Sequence, residues 1–358
     1  MAGTSKYLTL GAFLAAAIAV SSPVNAKTVK ITVAASPPPL VTFVSTFKNI
    51  VTKKIDARLA SPEGKGFKIE WTHAYSGTLA KFNELFETVD EGIAGAGLVL
   101  KNFEPSNLPL ESYFVYAPFV SMTRVQLAQI DENLRKKIPE LNAAYDEHNQ
   151  VFIRSGVNDS MQLFTKFPVT KFEDLRGRKL GSSGSLGQWL RGTGAVTVNS
   201  SMNQSFSNIK NGVYEGYPLS EILSFVYKTW AAAPYYTKVD FGPSLNPALT
   251  FNKDVWKSLP SHVQNIIREE AAMWTTYQNA IDVKKQKKFV GIMKKKGVKF
   301  STLAAAERAK WARAMPNIAK EWAARQDKRK LPGTKLLNAY MEEMRAANVG
   351  ITRDWDKD

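Results

Sequence analysis

The densest run of small polar groups in the chain is GSSGSLG, residues 181–187, and the chemistry it offers is capture rather than turnover. Its three glycines free the backbone to turn. The main-chain amides, with the hydroxyls of Ser182, Ser183 and Ser185, can then donate hydrogen bonds to a carbonyl, a hydroxyl or an anion. No lysine follows the last glycine, so the run is not a nucleotide phosphate loop. Its bland reading is a strand-to-helix turn. Residues able to catalyse are sparse: His73, His148 and His262 are dispersed and lack zinc-site spacing, and there is no G-x-S-x-G elbow. The chain has no cysteine, which removes thiolate ligands and thiol nucleophiles. Glu215 and Glu221 form a lone acidic pair of the kind found on solvated turns. No carboxylate cluster supports a metal, so neither metal nor cofactor is expected.

The loop must be held by the elements around it. Residues 178–181 read as a short strand and 182–187 as the loop. A helix carrying Trp189 and Leu190 follows, then a second apolar strand at 196–198, which completes a βαβ unit. A helix closing on Ile209 and Gly212 and a run at 213–216 complete the stretch. In such units the loop after the strand faces the cleft where ligands bind.

Strand, loop and helix recur upstream. Residues 27–35 alternate as a strand, stopped by Ser36 and three prolines. From Leu40 the apolar Val44, Phe47, Val51 and Ile55 keep helical spacing. Residues 68–73 form a strand followed by the loop Ser76-Gly77-Thr78, 79–89 a helix, and 92–100 a small apolar strand buried on both faces. Residues 121–145 are helical, 151–155 and 161–165 are strands, and the chain crosses to a second lobe near 154–158. It returns near the strand 247–251, ahead of a long helix over 261–290 and two more at 303–324 and 334–347. The fold class expected is α/β in two lobes, 27–157 with 247–286 and 158–246 with 287–358, closing on a ligand about crossing strands.

The first 26 residues read as an export signal: Lys6 is the positive start, 7–20 the apolar run, and Val24-Asn25-Ala26 the cleavage site. The expected address is the periplasm. No other apolar run is long enough to span a membrane, and an exported chain of this size can fold without disulfides. The net charge is +16 over 358 residues. Lysine clusters at 284–288, 294–296 and 328–330 read as solvated helix faces rather than a nucleic-acid site. Such a field also attracts anionic ligands or an anionic leaflet.

Several segments, in order, resemble the solute-binding proteins of tripartite ATP-independent periplasmic (TRAP) transporters, the dicarboxylate-binding family. KFEDLRGRKL (171–180) is similar to the family's s-x-x-D-L-k-G-l-K-i-R, NGVYEG (211–216) to t-G-v-v-D-G, and VWKSLP (255–260) to v-w-x-x-L-P. EGIAGAG (91–97) and Pro118-Phe119 are weaker echoes. The resemblance implies a two-lobed periplasmic binding protein with a long helix across both lobes. Its partners would be a small organic solute and the TRAP permease subunits, its membrane contact peripheral and through the permease alone, and it would have no catalytic residues and no nucleic-acid partner.

The departures bear on the ligand. Relatives that bind organic acids carry an arginine after K-i, which grips a carboxylate; that position is Gly181 here. A second arginine of many sialic-acid-type relatives falls on Met161, and a polar residue after the D-G-x-E segment falls near Leu219. A buried carboxylate without a charged partner costs several kcal/mol, so the expected solute is neutral or largely apolar, and the missing arginine would leave room for a larger one. An organic acid held by the amides and hydroxyls of the Ser/Gly loop is the alternative, and an exported hydrolase the rival from another class. The site residues expected are Pro39, Ser76, Met161, Gln162, Phe164, Gly181, Ser182, Ser183, Tyr214, Tyr217 and Leu219. Trp189, Trp230, Tyr235 and Tyr236 are open between core packing and the cleft.

Overall fold

The computed structural model describes residues 1–3, 27–243 and 247–358, so nearly all of the expected export signal lies outside the described residues. Thirteen strands are described: β1 Lys27–Ala34, β2 Phe67–Ala74, β3 Ala96–Leu100, β4 Val120–Ser121, β5 Gln150–Ser155, β6 Gln162–Thr165, β7 Lys179–Ser182, β8 Val196–Asn199, β9 Gly216–Leu219, β10 Tyr235–Lys238, β11 Pro247–Asn252, β12 Lys299–Thr302 and β13 Gly350–Ile351.

The first lobe is built on a sheet of order β2-β1-β3-β11-β5. Its middle strand β3, AGLVL, is buried at every residue, as a continuous apolar run in a sheet covered on both faces must be. β1 pairs in parallel with β2 and β3, whereas β11 runs antiparallel to both β3 and β5. The strands that leave and re-enter this lobe therefore lie side by side, and Gly156 N–H donates to Pro247 O at 2.7 Å just beyond them. The second lobe has a sheet of order β12-β10-β6-β9, and the parallel pair β7-β8 continues it through Glu215 N–H to Lys179 O at 2.8 Å.

Several expected helices are shorter or divided, each for a local reason. Proline lacks an amide donor and clashes with the preceding turn, so 121–145 splits at Pro139 into Arg124–Lys137 and Glu140–Glu147, and 303–324 splits at Pro316 into Ala305–Ala314 and Ile318–Lys328. The helix expected from residue 79 starts only at Leu85. The segment after Ser183 is a 3₁₀ run, Gly184–Leu190, not an α-helix. The long helix is two, Ser261–Ala272 and Trp274–Lys295, meeting at Met273; the Trp274 indole donates to Phe43 O at 3.1 Å just past the junction.

Helix Trp274–Lys295 binds the lobes together. Phe43 and Phe47 of the first lobe pack edge-on against Trp274, and in the second lobe Phe225 stacks on Phe289 at 3.9 Å. Gln278 donates to Val157 O in the crossing segment at 2.7 Å. The chain's end returns to the first half: helix Gly333–Ala346 lies on helix Arg124–Lys137 through Lys137–Glu343 at 2.6 Å, β13 pairs with β4, and the Trp355 indole donates to Pro118 O.

Candidate functional site

The meeting of the lobes has two chemically different ends, one at the Ser/Gly loop and one at the crossing segments.

At the loop end, β7 and β8 pair over 179–182 and 196–199 and carry the loop to the first lobe, where Gly184 approaches Asn102. A Cβ at Gly184 would lie 3.3 Å from Asn102 O, and the residue takes φ 55°, a conformation that favours glycine. Asn102 is 1% exposed, yet neither its amide nitrogen nor its amide oxygen has a hydrogen-bond partner, and the Ser185 hydroxyl is likewise buried without one. Buried polar groups left unpaired are uncommon and costly, and these lie where the loop meets the first lobe.

The expected space at Gly181 is not there. A Cβ on this residue would stand 2.5 Å from the ring of Tyr214, which fills the direction a longer side chain would take. That ring is held by Tyr214 Oη to Ser200 Oγ at 3.0 Å, and Tyr217 Oη donates to Ser200 O at 2.6 Å. Both tyrosines are fully buried and bonded inside the second lobe. Met161, Phe164 and Leu219 are also fully buried, with Phe164 edge-on to Tyr236. Ser182 and Ser183 are buried beside the 3₁₀ run, while in the first lobe Pro39 is half-buried and Ser76 exposed, with Ser76 N–H donating to Pro37 O. Trp189 stacks on Phe241 at 4.9 Å and donates to Val115 O, a packing role.

At the crossing end the groups are charged, and the sequence reading missed most of them. Thr123 caps helix Arg124–Lys137 by a reciprocal bond with Gln126, which fixes Arg124 at its first turn. Arg124 pairs with Asp159 of the crossing segment, with Asp282 of the long helix at 3.3 Å, and donates to Asn279 at 2.8 Å. From the second lobe comes Glu221, expected on a solvated turn but in fact 7% exposed and accepting the Tyr236 hydroxyl at 2.5 Å. Ser220 caps the helix Glu221–Val226 and so turns Glu221 inward. Gln162 is also here, clamped by its side chain to Asp240 and to the amides of Val239 and Asp240.

A cavity of about 330 Å³ opens at this end, lined by Arg124, Asn158, Asp159, Glu221, Lys238 and Asp240. Burial, with the neighbouring Asp282 and Glu221 carboxylates, outweighs the Arg124 guanidinium and pushes the Asp159 carboxyl up to about 7. A second cavity of about 10 Å³, room for a single water, lies between Thr42 of the first lobe and Ser220 of the second, against Asn158 and Asp282.

The profile of the bacterial extracellular solute-binding proteins, family 7 (DctP), matches residues 41–326, four-fifths of the chain. The chain belongs to this family. Among relatives of this family 7 protein, the C4-dicarboxylate-binding periplasmic protein DctP of Rhodobacter capsulatus is 28% identical over 161 residues, which are 44% of this chain and 48% of the relative, so the match spans about half of that protein. The TRAP periplasmic solute-binding protein of Desulfovibrio salexigens with bound orotic acid superposes with a TM-score of 0.77 at 21% identity, over 88% of this chain and 99% of that one. DctP6 of Bordetella pertussis, binding pyroglutamic acid, gives 0.75 at 16% over 88% and 100%, and the Sulfitobacter protein with bound β-D-galacturonate 0.72 at 16% over 87% and 99%. The expected two-lobed α/β fold is thus the fold of TRAP solute-binding proteins. Among the described residues no helix is long and apolar enough to cross a membrane, and no cluster of His, Asp or Glu able to hold a metal occurs.

Proposed function

We propose that this family 7 protein captures one small, net-neutral organic solute between its lobes in the periplasm and hands it to a TRAP-type permease. The lobes divide as 27–157 with 247–286 and 158–246 with 287–358, and they close about the crossing segments beside Gly156 and Pro247. Only a solute that touches both lobes stabilises the closed form, and the pieces for this face one another, Asn102 from the first lobe and the Ser/Gly loop from the second.

The observation that carries the neutral solute is the pairing of Gly181 with Tyr214. The space an arginine would use is filled by a buried ring, and Met161 and Leu219, at the other two departures, are fully buried apolar side chains. Arg124, the guanidinium in the cleft, is already matched by two carboxylates. A carboxylate would be desolvated here without a free cation to receive it. The solved relatives that hold orotic acid, pyroglutamic acid and galacturonate favour an acidic solute as the second reading. In it the loop amides would do the work; the 3₁₀ geometry after Ser183 aligns fewer peptide dipoles than an α-helix, which weakens that arrangement.

Native mass spectrometry of protein purified from its own host, followed by thermal shift with neutral and acidic members of matched pairs, decides between them. A neutral co-purified mass and larger shifts for neutral members are expected; a carboxylic acid bound at both lobes would reverse the assignment. Turnover of a bound compound would point instead to a hydrolase.

A further inference from the structure

We propose that the cavity at the crossing segments is the seat of a polyhydroxylated part of the solute, so that the cargo is a neutral polyol or sugar. This rests on the receptor reading above and narrows its ligand class.

Three observations support it. The cavity takes walls from both lobes and from the segment that joins them: Arg124, Asn158, Asp159 and Glu221 all line it. Its volume of about 330 Å³ lies at the small end of ligand pockets, which run from about 300 to 1,000 Å³. Asn158, 7% exposed, lines both this cavity and its small neighbour, and its amide nitrogen has no partner.

The donor and acceptor pattern then selects the ligand. Asp159 and Glu221 accept, and the Asn158 amide donates. A hydroxyl satisfies both at once, since it donates to a carboxylate and accepts from an amide; adjacent hydroxyls repeat the pattern. A carboxylate fails twice, because it cannot donate and because Glu221 and Asp240 on the cavity wall repel it while Arg124 and Lys238 are engaged with acids of the same group. A bare cation would satisfy the carboxylates but face the Asn158 N–H. Glu221 of the second lobe shares this one cavity with Arg124 and Asp159, so the seat needs both lobes.

The test is thermal shift and calorimetry on the full mature chain with D-galactose, myo-inositol and D-sorbitol, against D-galacturonate and D-gluconate as acidic partners. Asn158→Leu and Glu221→Gln are the variants, with melting of the free protein as the control for folding. Saturable binding of at least one neutral compound is expected, tighter than its acidic partner by about tenfold or more and weakened about tenfold by either variant. Tighter binding of the acids, equal affinity of the variants, or no response to any neutral compound overturns the inference. Acids that bind and close the lobes would leave the receptor role standing. A protein with no co-purified solute and no response to either class would remove that role as well.

Discussion

Two sets of buried charges, one inside the first lobe and one at its crossing segments, are built to opposite ends. Inside the lobe, Lys101 and Arg135 face Glu111 and Asp131, two cations against two anions. Lys101 Nζ meets Glu111 at 2.6 Å and Asp131 at 3.5 Å and donates to Ser155 Oγ; Arg135 grips Glu111 through both carboxylate oxygens and Asp131 at 3.0 Å. Burial pushes the Asp131 carboxyl up, but Arg135 and Lys101 outweigh it and hold the group well below the usual carboxylate range. At the crossing segments a single arginine serves Asp159 and Asp282 with Glu221 close by, and there Asp159 is raised. Balanced charge that is fully bonded fixes a structure; a surplus of acceptors beside open space leaves work for something that arrives. The same distinction separates a packing network from a binding site in a chain where both are made of the same side chains.

The contrast is sharpest when each set loses one member. Lys101→Met leaves two buried carboxylates to one guanidinium, and breaking a buried pair in this way costs about 3–5 kcal/mol; chemical denaturation should show the loss in full. Asp159→Asn removes an anion from a set that has too many, and its cost to the free protein should be a small fraction of that. Equal losses for the two variants would dissolve the distinction.

A smaller effect is expected at the loop end. Gly181→Ala places a Cβ 2.5 Å from the Tyr214 ring, whose phenol is tied to Ser200 and cannot swing away cheaply. Overpacking of this kind costs about 1–3 kcal/mol. Beside Tyr214→Ala the same change should cost much less, so a double-mutant cycle reads the contact directly. Independence of the two substitutions would show that the ring does not occupy the arginine's place.

The sequence made the architecture legible because its signals are local. Alternating apolar residues, the prolines after β1 and the small apolar run of β3 each announce an element within a few residues, and β7 and β8 pair in parallel as expected, joined by a 3₁₀ run where an α-helix was expected. What it hid depends on residues far apart. Gly181 looks like vacant space until Tyr214, thirty-three positions on, is seen lying over it. Glu221 looks like a solvated acid until the Ser220 cap turns it toward Tyr236. Arg124 and Asp159 carry no motif and meet only because a helix start and a crossing segment converge on one long helix. The capping box at Thr123 and the S-E step at 220–221 were the available local hints, and they fix direction without naming a partner.

The mildest expected effect is the one that reads the surplus charge itself. Asp159 in the folded protein holds its proton to about 7, well above the ordinary aspartate value of 3.8, so across that interval the folded state binds more protons than the unfolded one. Stability contributed by this group is therefore complete below about pH 4 and is withdrawn as pH rises toward 7. Glu104, pushed up to about 7 by burial, acts in the same direction. Melting of the free protein should thus fall gradually between about pH 4 and 7, and Asp159→Asn and Glu104→Gln should each flatten part of that slope. A bound polyol favours the ionised carboxylate, so ligand should restore more stability at pH 8 than at pH 5. A ligand increment that shrinks with rising pH would mean that the solute is read by the protonated carboxyl, and that the acceptor surplus at the hinge is not what draws it in.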